Sequence, residues 1–458
     1  MNPKIAIFAI VASLLFVAFA IYFGSAGADG NSVEGLRDVV SYVDPNAYYD
    51  SEKVYTLRNT DAGLGVALLP KPAEPGTRVA EPNFVRQQGF VGPESCKECH
   101  ADYYQSFVQT AHYKTSALAS ASSILGSFAD NENVLKTRKD GFGYQLTQEE
   151  DEYFQKLLVE KSGKTYEHKC RFDIVTGSGN IGQTYLYWQE NSLYQLPVSW
   201  LSKSGWANSP NYPDGLANFA RPVKQGCMSC HSTLVEFADK QVNVADRSKM
   251  ILGVTCERCH GPAESHVNFH RENPQAKAAF DITHPGDLSR ERMNDICAQC
   301  HSGESREIQS TYKFRPGDSI HKFKRFPKST KFSGGVHTAN QTPRLLKSKC
   351  YTESDTMSCA TCHNPHQHER GKLDLFSERC MKCHQSEDCG KFTELGRTIE
   401  SNCIDCHMPK RNDSNLKIET TSEVISPEIR DHFIRVHDKA TAKALKSWGK
   451  ENQGKENQ

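Results

Sequence analysis

The chain has 458 residues, room for two or three domains, and its 55 basic residues are matched by 55 acidic ones. That balance gives no electrostatic reason to expect a nucleic-acid partner. Apolar residues make up only 37%, lean for a core of this size, whereas cysteine (17) and histidine (18) are both abundant.

At the N-terminus, Lys4 precedes a run from Ile5 to Phe23 in which Ser13 is the one clearly polar residue. As a helix this run is roughly 28 Å long, close to the ~30 Å hydrocarbon core of a bilayer. It exceeds the h-region of an ordinary signal peptide, which favours an uncleaved anchor. Ala26-Gly27-Ala28 offers a cleavage site for the competing reading, a removed signal. Both readings export the chain from residue 29 onward, and Lys4 on the cytoplasmic side obeys the positive-inside rule. Residues 1–28 are thus an anchor or signal peptide. Residues 29–92, without Cys or His and with Pro70, Pro72, Pro75 and Pro82, form a partly extended spacer.

From 93 to 440 one pentapeptide recurs seven times: CKECH at 96, CMSCH at 227, CERCH at 256, CAQCH at 297, CATCH at 359, CMKCH at 380 and CIDCH at 403. The stretch from about 130 to 226 lacks it. There YLYW (185–188), a turn at Glu190-Asn191 and LYQLPVSW (193–200) predict a hairpin, and KCRFDIV (169–175) a further strand. This reads as a small antiparallel β insertion. The remainder lacks strand alternation and predicts short helices and long loops. Residues 441–458 are a polar tail.

C-x-x-C-H is the c-type haem attachment sequence. Two thiols add to the haem vinyl groups, and the adjacent imidazole ligates the iron from the same side. A random chain of this composition would hold about 0.02 copies. Zinc is the competing metal, but zinc sites do not need a histidine after every second cysteine, and seven units do not pair off. Nor do disulfides explain a fixed spacing that always ends in histidine. The attachment cysteines are therefore Cys96 and Cys99, Cys227 and Cys230, Cys256 and Cys259, Cys297 and Cys300, Cys359 and Cys362, Cys380 and Cys383, and Cys403 and Cys406. The proximal iron ligands are His100, His231, His260, His301, His363, His384 and His407. Seven covalent haems c would supply much of the core and account for the lean apolar content. The expected fold is mainly α with long loops around a covalent multihaem core.

Three cysteines remain, Cys170, Cys350 and Cys389, so at least one is a free thiol; a Cys350–Cys389 bridge is one pairing. Eleven histidines remain. Six-coordinate electron-transfer haems take a second axial ligand, commonly His or Met. His112, His266, His337, His366 and His432 are the distal candidates. His168, His270, His284, His321, His368 and His437 are weaker, and Met408, beside proximal His407, cannot cross its own ring. His366, three residues after His363, cannot reach the far face of the same iron, so if it ligates it serves a neighbouring haem. GSGNIG (177–182) matches a dinucleotide fingerprint, but a strand follows it where a helix is required, so these are turn glycines and no nucleotide is expected. The basic run Lys313–Lys331 suits haem propionates, an acidic redox partner or a solvated loop better than nucleic acid.

The blocks GFVGPESCKECHADYYQSFVQTAH, GSGNIGQTYLYWQENSLYQLPVSW, RPVKQGCMSCH, GVTCERCHGPAESHV, CAQCHSG, MSCATCHNPH and CIDCHMPKR…DHFIR resemble exported multihaem cytochromes c. The superfamily in question contains hydroxylamine oxidoreductase, its tetrahaem electron-acceptor cytochrome and ammonifying nitrite reductase. The resemblance spans about 92–437. It implies distal ligation by His112, His266, His366 and His432, and more loosely by His337. The C-x-x-C-K of the nitrite reductases is absent, and hydroxylamine oxidoreductases carry more haems, so neither activity transfers. The resulting expectation is a heptahaem electron carrier, periplasmic or otherwise extracytoplasmic, held at the inner membrane by its N-terminal helix. Its partners would be redox proteins or a quinol-linked membrane complex. The alternative is a reductase or oxidase of a small nitrogen or sulfur compound at one five-coordinate haem. The second haem, with no spare histidine close behind it, is the candidate, and no catalytic residue is assigned.

Overall fold

The computed structural model describes residues 66–67, 89–238, 243–327, 335–413 and 416–456. The anchor or signal expected at 1–28 lies outside the described residues, as does most of the spacer. Among the described residues no helix is long and apolar enough to cross a membrane.

The first strand, β1 (Val66–Ala67), runs beside a later one at Ala217–Asn218 in parallel. Strands β2 (Ser116–Leu118), β3 (Val134–Lys136), β4 (Phe142–Glu149), β5 (Glu152–Lys161) and β6 (Lys164–Arg171) follow. Next come β7 (Ile174–Thr176), β8 (Gly182–Gln189), β9 (Ser192–Leu201), β10 (Gly205–Asn208), β11 (Ala217–Asn218) and β12 (Arg221–Pro222). A meander of β3, β4, β5 and β6 makes one antiparallel sheet. A second has the order β10-β9-β8-β7-β2, with β12 also on β9. Alternation on β4 buries Phe142, Tyr144 and Leu146, the period of two expected of a half-buried strand. These side chains meet Tyr185, Tyr187, Leu196, Val198, Trp206 and Phe219 in a shared apolar core. Gln155 joins the sheets, its buried Oε1 accepting from the Val198 N–H at 3.0 Å. GSGNIG is the β7–β8 connection, with Gly177 at φ +97° and Gly179 at φ +83°.

The expectation of a mainly α fold is therefore overturned. Strands lie beyond the stretch assigned to them: β2 precedes it, and a hairpin of β13 (Ser232–Phe237) and β14 (Ala245–Leu252) follows the second C-x-x-C-H. Short ladders also join 306–307 to 324–325 and 410–412 to 428–430. The physical reason lies in the attachment motif. It needs only one helical turn, so motif density does not make long helices. The helices include α1 (Pro93–Lys97), α2 (Ala101–Phe107), α3 (Gln225–His231), α4 (Cys256–His260), α5 (Glu264–Glu272), α6 (Arg290–His301), α7 (Cys359–Cys362), α8 (Leu373–Cys380), α9 (Ile404–His407) and α10 (Asp438–Glu456), with short ones at Gln341–Leu345, Lys349–Thr352 and Phe392–Leu395.

A second apolar cluster ties the larger sheet to α3 through Ile174, Leu186, Met228, Leu234 and Tyr312. A third packs Ile296 of α6 on Phe314, Ile320 and Phe323. From residue 335 onward, only Ile418 and Ile425 join the apolar clusters of the described residues. The segment carrying the last three motifs is thus almost without an apolar side-chain cluster of its own among the described residues.

Candidate metal centres

Each pentapeptide closes one helical turn. The histidine N–H donates to the carbonyl of the first cysteine at 2.9 Å for His100, 3.0 Å for His363, 3.1 Å for His384 and 3.2 Å for His407. That turn brings the two thiols to one side and carries the imidazole with them.

Motifs far apart in sequence are brought together. The Cys96 and Cys256 sulfurs are within hydrogen-bonding reach, as are Cys230 with Cys300 and Cys297 with Cys359. Cys380 lies near Cys403 and Cys362, which places the last three motifs beside one another. Spare Cys350 sits near Cys362 and Cys383, and spare Cys389 near Cys403 and Cys406. Cys170 is buried in the β region, 3.2 Å from His168 Nε2.

The residues between the motif cysteines do the joining. Glu257 of CERCH is buried, and its carboxylate accepts from the N–H groups of Val91 (2.9 Å), Gly92 (2.8 Å) and Ala263 (3.0 Å). It thereby fixes the start of α1 against α4. Arg258, also buried, donates to the carbonyls of Ser229 (2.9 Å), inside CMSCH, and Thr311 (3.0 Å). Asn294 Oδ1 accepts from Cys359 N at 3.0 Å, and Ser377 Oγ from Cys403 N at 2.9 Å.

Four of the five distal candidates face a motif histidine. His266 stacks over His100 with centroids 6.4 Å apart and rings inclined by 18°. His112 faces His301 at 6.3 Å and 66°. His366 faces His260 at 6.0 Å and 21°, and His432 faces His363 at 6.0 Å and 22°. Two imidazoles sharing one metal, each through a bond of about 2 Å, have centroids about 6.3 Å apart. The spacing therefore fits an axially ligated iron. A ligating imidazole donates its other N–H to a carbonyl or carboxylate, which leaves the remaining nitrogen bare for the metal. His260 Nδ1 does so to Thr283 O (2.9 Å), His266 to Phe280 O (2.9 Å) and His301 to Thr338 O (2.7 Å). Solvent reaches part of the His112 ring, yet protein crowds around it, and burial pushes its pKa down to about 4. Burial does the same to His432, again to about 4, assisted by nearby His363. Both imidazoles are neutral at pH 7 and able to donate a lone pair.

The fifth candidate is placed otherwise. His337 Nδ1 accepts from the Ala339 N–H at 3.0 Å, so that nitrogen is engaged within the protein, and its Nε2 stands 3.5 Å from the buried Asp413 carboxylate. His231 has its Nδ1 held by Thr115, 2.9 Å from Oγ1 and 3.3 Å from the carbonyl. Among the described residues its ring faces no second histidine. His384 and His437 are near enough to His407 to add, after burial, to the lowering of its pKa. The carbonyl partners Thr283, Phe280 and Thr338, and the polar pair Glu257 and Arg258, carry no sequence signature and were not foreseen.

A family model described as cytochrome c554 and c-prime matches residues 204–261, which carry the second and third motifs. A multihaem cytochrome, MtrA, from Shewanella baltica (strain OS185) is 28% identical over 208 residues, covering 42% of this chain and 55% of that protein. This chain is similar to multihaem c-type cytochromes. It spans only about half the length of that relative. The crystal structure of an outer cell wall cytochrome, OcwA, aligns with 78% of this chain and 82% of its own, at 15% identity and a TM-score of 0.46.

Proposed function

We propose that this cytochrome is an extracytoplasmic electron relay carrying seven haems c. It would pass electrons between redox proteins, or from a quinol-linked membrane complex, with residues 1–28 as its tether or export signal. The observation that carries the reading is the clustering of motif cysteines across sequence, with four motif histidines each faced by a second imidazole at 6.0–6.4 Å. Bound haem iron supplies reversible one-electron chemistry, its potential set by axial ligands and surroundings. The chain would hold each group by two thioether sulfurs and an imidazole. It would then add a distal imidazole from His266, His112, His366 or His432 to the centres of His100, His301, His260 and His363, respectively.

Motif order differs from spatial order. The first motif touches the third, the second touches the fourth, and the fourth touches the fifth. Electrons would follow those contacts and not the order along the chain. The haem count is tested by the mass of the exported protein and by haem released per chain. Seven is the expected value, and a smaller count in fully matured protein would overturn the number.

A second reading is favoured by one observation. Among the described residues His231, His384 and His407 each lack an opposing imidazole in a ring pair, though His437 lies near His407; of these, the second haem, that of His231, would keep an axial position for a small nitrogen or sulfur compound. A ferrous protein that binds CO at a single haem, lost in a His231 variant, is the expected result. An entirely low-spin spectrum that ignores CO would remove the enzymatic alternative.

A further inference from the structure

We infer that the buried Arg344–Asp431 ion pair is a positioning device that holds His432 in place to bind iron. The inference rests on the reading of His432 as the ligand opposite His363. Asp431 is fully buried and Arg344 is 5% exposed. Their contact is bidentate: Arg344 Nε donates to Oδ1 at 2.7 Å and Nη2 to Oδ2 at 2.6 Å. Two parallel bonds fix direction as well as distance, which a single-point lysine contact does not. Arg411 adds a third donor to Oδ2 at 3.1 Å.

The carboxylate is built into the turn that carries His432. Asp431 Oδ1 accepts from the Phe433 N–H at 2.9 Å, and Asp431 N donates to the Pro409 carbonyl at 3.0 Å. Ser348 Oγ donates to the His432 carbonyl at 3.1 Å and accepts from the Ile434 N–H at 2.8 Å. The Phe433 ring has the Arg344 guanidinium at 5.6 Å and that of Arg435 at 5.0 Å. Among the described residues the imidazole makes one hydrogen bond, a long one, from Nδ1 to the Arg430 carbonyl at 3.3 Å. Its ring direction is therefore set by the backbone turn, and the turn is set by Asp431. Arg344 lies in the short helix Gln341–Leu345, just after Thr338, whose carbonyl receives His301 Nδ1. One cation thus joins the support of two neighbouring centres.

Removing Arg344 leaves a buried carboxylate with a half-exposed arginine as its remaining ion-pair partner, an arrangement that buried ion pairs tolerate poorly. The test uses the full haem-loaded chain, read by low-temperature electron paramagnetic resonance and by CO binding to the ferrous protein. Arg344→Met is expected to turn one low-spin centre high-spin and to add about one CO-binding haem per chain. Arg344→Lys is expected to restore only part of the low-spin signal. His432→Ala is the reference for a lost ligand. If it opens a haem while Arg344→Met keeps every low-spin signal, the positioning role is overturned and the ligand reading stands. If His432→Ala changes nothing, the ligand reading fails and takes the proposal with it. Should Arg344→Met lose haem by misfolding, Asp431→Asn carries the test, because its amide oxygen can still accept from Phe433. Unchanged low-spin signals there would overturn the proposal; one opened centre at full haem content would support it.

Discussion

An imidazole binds iron only through a nitrogen that carries no proton, so burial and the partner of the other nitrogen decide which histidines can do it. His112 and His432 have pKa values pushed from 6.5 down to about 4 by burial. The sign follows directly. Between pH 4 and 6.5 the unfolded chain binds protons that the folded one refuses, so each group weakens the fold progressively as pH falls through that window. The loss is complete below about 4 and amounts to about 3 kcal/mol at most for His432; for His112, which solvent reaches, screening makes it smaller. Iron competes with the same proton and lowers the threshold further. Acid titration should therefore leave the low-spin absorbance intact from pH 7 to about 4. Loss beginning near pH 6 would show that these rings are not the ligands proposed. His366 gives a second test at this scale. It lies three residues after His363 but faces His260. His366→Ala should open the centre held by Cys256 and Cys259, so combining it with His432→Ala should give two high-spin haems. A double variant with a single high-spin haem would mean that both histidines serve one iron.

At the scale of elements, the attachment turn and the sheets differ in how plainly the sequence announces them. C-x-x-C-H is complete within five residues, and all seven copies were readable. The β8–β9 hairpin was also visible, because aromatic residues alternate on either side of Glu190-Asn191, and Glu190 takes φ +52° in the turn. The β13–β14 hairpin was not visible, since STLVEF and ADRSKMIL are short and flank motifs that read as helical. Between this hairpin and the first motif's extension lies Gly253, at φ +70°, where an added Cβ would stand 2.3 Å from the Tyr113 carbonyl oxygen. Its N–H donates to Ser116 Oγ at 2.9 Å, and Val254 N donates to the His112 carbonyl at 3.0 Å. Gly253→Ala should cost about 1–3 kcal/mol of strain and displace the backbone that carries His112. The measurement is a lowered thermal midpoint together with a weakened low-spin signal from the His301 centre. A displaced midpoint with every low-spin signal unchanged would separate the strain from the ligand.

For the whole molecule, charge and core both depend on what is attached. The polypeptide alone is balanced at 55 against 55. Each ferric haem with two ionised propionates adds about −1, so a protein with seven would sit near −7, and reduction adds roughly one negative charge per iron. Isoelectric focusing should therefore place the mature protein well on the acidic side, and more so when reduced. Focusing near neutrality would contradict the number of haems. The same attachment explains the uneven core. The β region buries its own aromatic and aliphatic side chains, whereas the last three motifs gather with almost no apolar cluster beneath them. A composition of 37% apolar residues is adequate when part of the core is not polypeptide.

By itself the sequence pointed to the cofactor class and proposed its attachment points, because thioether spacing and proximal ligation are both set within one helical turn. It also named four histidines that stand opposite motif histidines, through block resemblance and not through spacing. Only the tertiary structure decided the balance of strand and helix, the placing of His337 beside Asp413, and which motif histidine each of His112, His266, His366 and His432 faces. Those pairings join residues as distant as His112 and His301 or His100 and His266. Contacts across such separations come from packing and from buried polar links such as Glu257, Arg258 and Asp431, whose geometry no local pattern encodes.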